Sequence, residues 1–336
     1  MLVVAAPDKF RGTATAGEVA AAIARAVAAA GGTCDVAPVA DGGEGTLEAI
    51  GGARRVTTVR GPLGDPVEAE WRLQPDGTAV VEMARASGLT LAGGPEGNDP
   101  LRASTAGTGE LIAAALDAGA RRVVVGVGGS ASTDGGLAAL TALNPRRRLH
   151  AGVELLVACD VETLFVDAAE VFAPQKGATP AQVALLRRRL ERLAHIYVRD
   201  YGVDVTELPG SGAAGGLAGG LAAAGALLVG GFELVAEALS LAERIAGADL
   251  VVTGEGTLDA ESFEGKATGG VVDLARAAGV PVLVVAGDVL ADELPALPAS
   301  VVVVSLVARF GRERALADPA GCVEEVVGTH LTSPAG

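Results

Sequence analysis

The groups in this 336-residue chain best suited to chemistry are acidic residues embedded in glycine-rich loops. They occur as Ala6-PDKFRGT, Ala40-DGGEGT, Val127-GGSASTDGG, Cys159-Asp160, Val252-TGEGTLD and Ala286-Gly287-Asp288. Glycine lets a backbone approach a ligand and aim amide N–H groups at phosphate oxygens, while carboxylates hold Mg²⁺ or accept a proton. Such loops on one sheet edge point to a phosphate and metal site. Candidates for proton acceptor and metal ligand are Asp8, Asp41, Glu44, Asp134, Glu255 and Asp259. Asp41 is the expected base, because it follows an expected strand and precedes Gly42, Gly43 and Gly45, which leave room for a small substrate.

Lysine placement sharpens this reading. The 26 basic residues include only three lysines, Lys9, Lys176 and Lys266, and each sits within two residues of glycine or proline in an expected loop. A compact ammonium on a flexible stem suits a phosphate that moves during transfer. Ser104, Thr105, Gly107, Thr108 and Gly109 are expected to open a helix whose amino end faces an anion.

Other chemistries fit poorly. Glu264-Gly-Lys266-Ala-Thr268 is not a Walker A loop, since Ala stands at 260 and at 267. Glycine makes up 48 of 336 residues, twice the usual share, so loose G-x-G patterns such as Gly210-Ser-Gly212-Ala-Ala-Gly215 arise by chance. No acid closes a second strand after Gly126-Val-Gly128, which disfavours a nicotinamide-binding domain. His150, His195 and His330 lie outside every glycine-acid loop, and no G-x-S-x-G elbow is present. The net charge of -15 argues against a nucleic-acid partner.

The elements that position these loops are short apolar runs: 2–6, 36–40, 123–127, 155–159, 250–253, 282–286 and 301–306. Several lead into helical patterns, so the fold class is α/β with a parallel sheet covered on both faces. Thr15 to Glu18 has capping-box spacing for a helix reaching Ala30; a second helix ends at Gly119, and a third spans about 180–200. Residues 56–84 read as two strand-like stretches around the turn Gln74-Pro75-Asp76-Gly77. The expected organisation is a discontinuous Rossmann- or flavodoxin-like domain (1–55, 100–143, 240–336) and a smaller mixed α/β domain (56–99, 144–239), with the site in the cleft between them. Three scattered cysteines and no basic segment before the first apolar run suggest a cytoplasmic protein. The uncharged stretch 210–232 is mostly Gly and Ala, a weak membrane-spanning composition.

Taken together, Ala6-PDKFRGT, Pro38-VADGGEGT, Met83-ARASGL, Gly107-TGEL, Gly126-VGGSASTDGG, Val157-ACDV, Phe172-APQKGAT, Gly210-SGAAGGL and Thr253-GEGTLD with Glu264-GK resemble the bacterial glycerate kinase family, in order along nearly the whole chain. The resemblance implies phosphorylation of D-glycerate by ATP with Mg²⁺, commonly at the 2-position. The expected catalytic residues are Asp41, Lys266 and Asp134, with Glu255 and Asp259 on the metal. Expected substrate and phosphate contacts are Asp8, Lys9, Arg11, Gly42, Gly43, Glu44, Thr108, Gly109, Gly128, Gly129, Ser130, Lys176, Gly212, Gly215 and Gly216. Against the family pattern, lysine stands at 9 and arginine at 11, the chain is shorter after Gly136, and Val-Glu-Thr-Leu follows Asp160. A non-catalytic sensor of a sugar acid or nucleotide is the alternative from a different class.

Overall fold

The structure, a computed structural model, describes residues 1–10, 12–149, 152–263, 265–290, 294 and 296–332. Its strands are β1 (Leu2–Ala5), β2 (Thr33–Val36), β3 (Ala53–Arg60), β4 (Pro66–Leu73), β5 (Thr78–Glu82), β6 (Arg122–Gly126) and β7 (Glu154–Ala158), followed by β8 (Leu227–Val229), β9 (Leu250–Thr253), β10 (Thr257–Leu258), β11 (Val282–Ala286), β12 (Asp288–Val289) and β13 (Val301–Ser305). The chain divides into two compact units, residues 1–41 with 232–336 and residues 42–231.

The first unit is built on a parallel five-stranded sheet of order β13-β11-β9-β1-β2. Strands β1, β9, β11 and β13 are nearly continuous Val, Leu and Ala because helices cover both faces, whereas the edge strand β2 reads Thr-Cys-Asp-Val. On one face Val19, Ile23 and Val27 of the Ala16–Ala29 helix pack with Val323, Val326 and Val327 of the Pro319–Thr332 helix. On the other, Val271 and Val272 of the Ala267–Ala278 helix pack with Leu241 and Ile245. The expected capping box forms, with Thr15 Oγ1 accepting from the Glu18 N–H. One expected strand is displaced: β2 is Thr33–Val36, and 37–40 is a buried loop. Ala37 and Val39 still donate to the Ala5 and Pro7 carbonyls, but Pro38 has no N–H to continue the ladder.

The second unit carries a mixed sheet of order β3-β4-β5-β6-β7-β8, antiparallel through β3, β4 and β5 and parallel from β5 to β8. The expected turn at Gln74–Gly77 joins β4 to β5, and Gln74 N–H donates to the Thr78 carbonyl. Because β6 pairs with β5 and β7, residues 100–143 belong with this sheet and not with the terminal segments. The boundary accordingly falls between Asp41 and Gly42, and the second unit is the longer of the two. Its core joins Trp71, Leu111, Leu143, Phe165, Leu190 and Tyr197. The 210–232 stretch folds into a buried helix, Ala213–Ala223, and β8. Among the described residues no helix is long and apolar enough to cross a membrane.

Packing around β9 leads to a contrast between two glycines. A Cβ at Gly254, where β9 ends, would overlap the Val285 carbonyl of β11, whereas Gly17 lies exposed in a helix with nothing near. Gly254→Ala should lower unfolding free energy by roughly 3 kcal/mol or more. Gly17→Ala should raise it by about 0.5 to 1 kcal/mol. Urea denaturation of both variants checks the pair.

Candidate active site

In the first unit the chain winds from β1 outward to β2 and from β9 outward to β11 and β13. The order β2-β1-β9-β11-β13 is the flavodoxin-like arrangement, whose switch point lies between the two strands from which winding reverses, here β1 and β9. In such sheets ligands bind beyond the strand ends at that point. Asp8 follows β1 and Glu255 follows β9, and the two loops are stitched together: Asp8 N–H donates to the Gly254 carbonyl at 2.8 Å, and Thr253 Oγ1 to the Ala6 carbonyl at 2.7 Å. A cavity of about 430 Å³ opens here, lined by Asp8, Lys9, Asp41, Glu255, Asp259 and Lys266 together with Glu261, Asp288 and Arg312. The topology thus brings six of the expected site residues into one cavity. Asp288 and Arg312 were not among them; the Ala286-Gly287-Asp288 loop signalled the first, and nothing local to the sequence marked the second.

Among the described residues that line this cavity, acids outnumber bases. Lys9 Nζ lies 3.5 Å from Asp8 Oδ1 and 3.3 Å from Asp41 Oδ1, holding two carboxylates on one ammonium. Burial nevertheless pushes the Asp8 carboxyl up to about 6; Lys9 opposes the shift and the Asp41 charge adds to it. Burial also raises the Glu255 carboxyl, against the weaker opposing influence of the Thr268 and Ser262 hydroxyls facing it, and its buried Oε1 has no well-formed hydrogen bond. A carboxylate oxygen left in this condition suits a cation. Among the described residues no three acidic or histidine side chains converge closely enough to hold a metal ion by themselves. Asp259 is a less open ligand than expected, since its Oδ1 accepts from the N–H and the hydroxyl of Ser262. Lys266 stands at the amino end of the Ala267–Ala278 helix, partly exposed, with Nζ 2.6 Å from Glu261 Oε2. Arg11 and Glu264 lie outside the described residues.

The other expected site residues lie in the second unit, so the glycine-acid loops do not share one sheet edge. Gly42, Gly43, Gly128, Gly129 and Ser130 meet where β5, β6 and β7 end. A Cβ on Gly128 would stand 2.9 Å from Gly43 Cα, and one on Gly42 2.8 Å from Ala158 Cβ. Glu44 is exposed beside them. The loop is fixed by a residue the sequence reading passed over: buried Glu82, whose Oε1 accepts from the N–H groups of Gly45 and Leu47, each at 3.0 Å, while Arg85 Nε donates to Oε2. A lone acid inside Val80-Val81-Glu82-Met83 was the available signal.

Four expectations are corrected here. Asp134 is not in the acidic cavity; its carboxylate accepts from the Thr105 N–H and hydroxyl and from the Gly136 N–H, so the anion at the amino end of the Ala106–Asp117 helix is the protein's own. Thr108 and Gly109 are buried: Thr108 Oγ1 donates to Ser87 Oγ, and Gly109 leaves room for the Ala139 backbone. Lys176 is 2% exposed, its Nζ donating to the Ser132 carbonyl at 2.6 Å, and burial lowers its ammonium to about 7 despite the Asp134 charge. Gly212, Gly215 and Gly216 admit the Leu164, Ser132 and Gly135 backbones rather than a phosphate.

The profile described as Glycerate kinase family matches residues 3–148 and 143–329. The chain belongs to the glycerate kinase family. Its relatives include a glycerate kinase of Halalkalibacterium halodurans, 40% identical over 85% of each chain, and the glycerate 2-kinase of Escherichia coli K12, 39% identical over 87% of this chain and 86% of the relative. A crystal structure of a protein from Salmonella typhimurium LT2, provisionally named glycerate kinase 2, superposes with a TM-score of 0.79 at 36% identity, covering 98% of both chains. This family member's two matched segments join at 143–148, in the region where the chain reads as shortened after Gly136.

The Asp8 environment sets a pH dependence. A carboxyl raised from 3.8 to about 6 binds its proton more tightly folded than unfolded, so stability is fully present below pH 4 and is lost as pH rises through 6. Asp8→Asn removes that penalty. In metal-free buffer at pH 8 the variant should gain roughly 2 to 3 kcal/mol over the parent, and the gain should vanish at pH 4. Paired thermal melts at the two pH values check this, and an equal gain at both would contradict it.

Proposed function

We propose that this chain transfers the γ-phosphoryl group of ATP to a hydroxyl of D-glycerate, at the 2-position, with the chemistry in the Asp8–Asp41–Glu255 cavity. The observation that carries the proposal is the acid-rich cluster that the described residues form at the sheet's switch point, beside two lysines, in a member of the glycerate kinase family. Mg²⁺ entering with the nucleotide would add positive charge beside these acids and screen the phosphates; Glu255 and Asp8 would hold it. The glycerate hydroxyl oxygen forms the new bond to phosphorus as the bridging oxygen of ADP leaves with its electron pair. The hydroxyl proton passes to Asp41, which is open enough to meet a substrate at 29% side-chain exposure. Little activation of the hydroxyl is required, because phosphoryl transfer is largely dissociative and a positioned aspartate takes the proton late. Lys266 follows the migrating phosphoryl oxygens, exchanging its exposed contact with Glu261 for them. Free thiols at Cys34, Cys159 and Cys322 support a reducing, cytoplasmic setting.

Incubation with Mg-ATP and D-glycerate should release ADP, and phosphorus NMR should identify 2-phosphoglycerate. Asp41→Asn should lower kcat roughly a hundredfold with the fold intact. Lys266→Met should lower kcat about tenfold or more while KM for glycerate changes far less. No ADP above background at millimolar substrate would overturn the proposal in favour of a sensor. Parental turnover in Asp41→Asn would move the base to another carboxylate.

A further inference from the structure

The second unit has a cavity of about 690 Å³ that shares no residue with the acidic cavity. Its charge is of the opposite sign. In a chain of net charge -15, four arginines line it: Arg60, Arg102, Arg189 and Arg192. Arg60 gives Nε to Glu110, and Arg189 gives Nη1 to the Leu101 carbonyl. The guanidinium groups of Arg102 and Arg192 have no hydrogen bond or ion pair among the described residues. One carboxylate, Asp134, reaches the wall, and it is held by Thr105 and Gly136. Thr133, also on the wall, is 2% exposed, and its buried hydroxyl has no hydrogen-bond partner. Since Asp134 already caps the nearby helix, guanidinium and hydroxyl groups, rather than a helix end, would receive an anion.

The remainder of the wall is aliphatic. Leu101, Leu190, Leu193 and Ile196 face the cavity, and Leu137 lines it while 48% exposed. A free phosphate or a three-carbon acid would leave this surface wet and most of the volume empty. Sites of this size, apolar with a few convergent polar groups, take ligands with an apolar body and a polar end. Arginine forks match phosphate, and branched aliphatic side chains pack against a flat base.

We propose that this cavity binds a nucleoside monophosphate, its phosphate held by Arg102 and Arg192 with the Thr133 hydroxyl and its base against the leucine wall. The assignment does not depend on which acid the enzyme phosphorylates. The test uses the full chain in EDTA, where the acidic cavity lacks a cation and repels phosphate. AMP is titrated calorimetrically, with adenosine and inorganic phosphate as separate probes. AMP should bind once per chain, at least tenfold more tightly than either probe. Arg102→Gln with Arg192→Gln, both exposed positions, should weaken AMP at least tenfold with melting unchanged, while Glu255→Gln should leave it unaffected. Thr133→Val should weaken it several-fold.

Three results would overturn the proposal. AMP failing to bind at millimolar concentration is one, and phosphate binding as tightly as AMP, which would leave the apolar wall without a role, is another. AMP affinity that survives the arginine variants but is lost in Glu255→Gln would place the nucleotide in the acidic cavity instead. The effect on the reaction then separates two sources of the ligand. If the arginine variants raise KM for ATP in step with their loss of AMP affinity, the cavity receives the donor nucleotide; an unchanged KM identifies an effector site.

Discussion

Asp8, Asp41 and Lys9 form a cluster in which two carboxylates share one ammonium, and the adjacent Glu255 carboxylate is buried with one oxygen lacking a sound partner. Burial holds two of these acids above their ordinary range, so the cluster is destabilised as it stands. A folded chain tolerates such an arrangement only if the surrounding framework is rigid. Here that framework is the parallel sheet, whose β1 and β9 end side by side and whose loops are tied by the Asp8-to-Gly254 and Thr253-to-Ala6 hydrogen bonds. A cation reaching the cavity would relieve this crowding of acids.

The second unit illustrates another use of the same residue types. Its glycines let backbones come within van der Waals reach of one another, as at Gly128 against Gly43, and its buried acids serve as acceptors for loop N–H groups. Glu82 organises the loop that follows Asp41, and Asp134 closes a helix end. Each carboxylate receives hydrogen bonds from backbone and side-chain donors, which oppose the upward push of burial on both, and Glu82 is also paired with Arg85. The distinction between Asp8 and Asp134, both buried acids in glycine-rich loops, is therefore one of partners and not of sequence context.

That distinction explains what could be read from the sequence. The Val-rich runs of β1, β9, β11 and β13 announce a parallel sheet directly, and ending each run at an acid or glycine marks where the cavity forms. Asp8, Asp41 and Glu255, which line that cavity, could be picked out as candidates for this reason. The membership of residues 100–143 was not, because β6 is as apolar as the strands of the first unit and only its pairing with β5 and β7 assigns it. Lys176, Gly212, Gly215 and Gly216 misled because a glycine or lysine that serves packing has the same local signature as one that serves a phosphate. Arg102 and Arg192 were hidden as ordinary surface arginines until folding placed them around one cavity.

If a cation carried with phosphates completes the Asp8 cluster, its binding must displace the proton that burial holds on Asp8. Calorimetric titration of the chain with Mg-ATP in two buffers of different ionisation enthalpy tests it most directly. At pH 5.5, with Asp8 largely protonated, binding should release close to one proton, and at pH 8 almost none. Asp8→Asn should lower the release at pH 5.5 by most of one proton. Binding that releases no proton at pH 5.5, or releases the same number in the variant, would contradict the account.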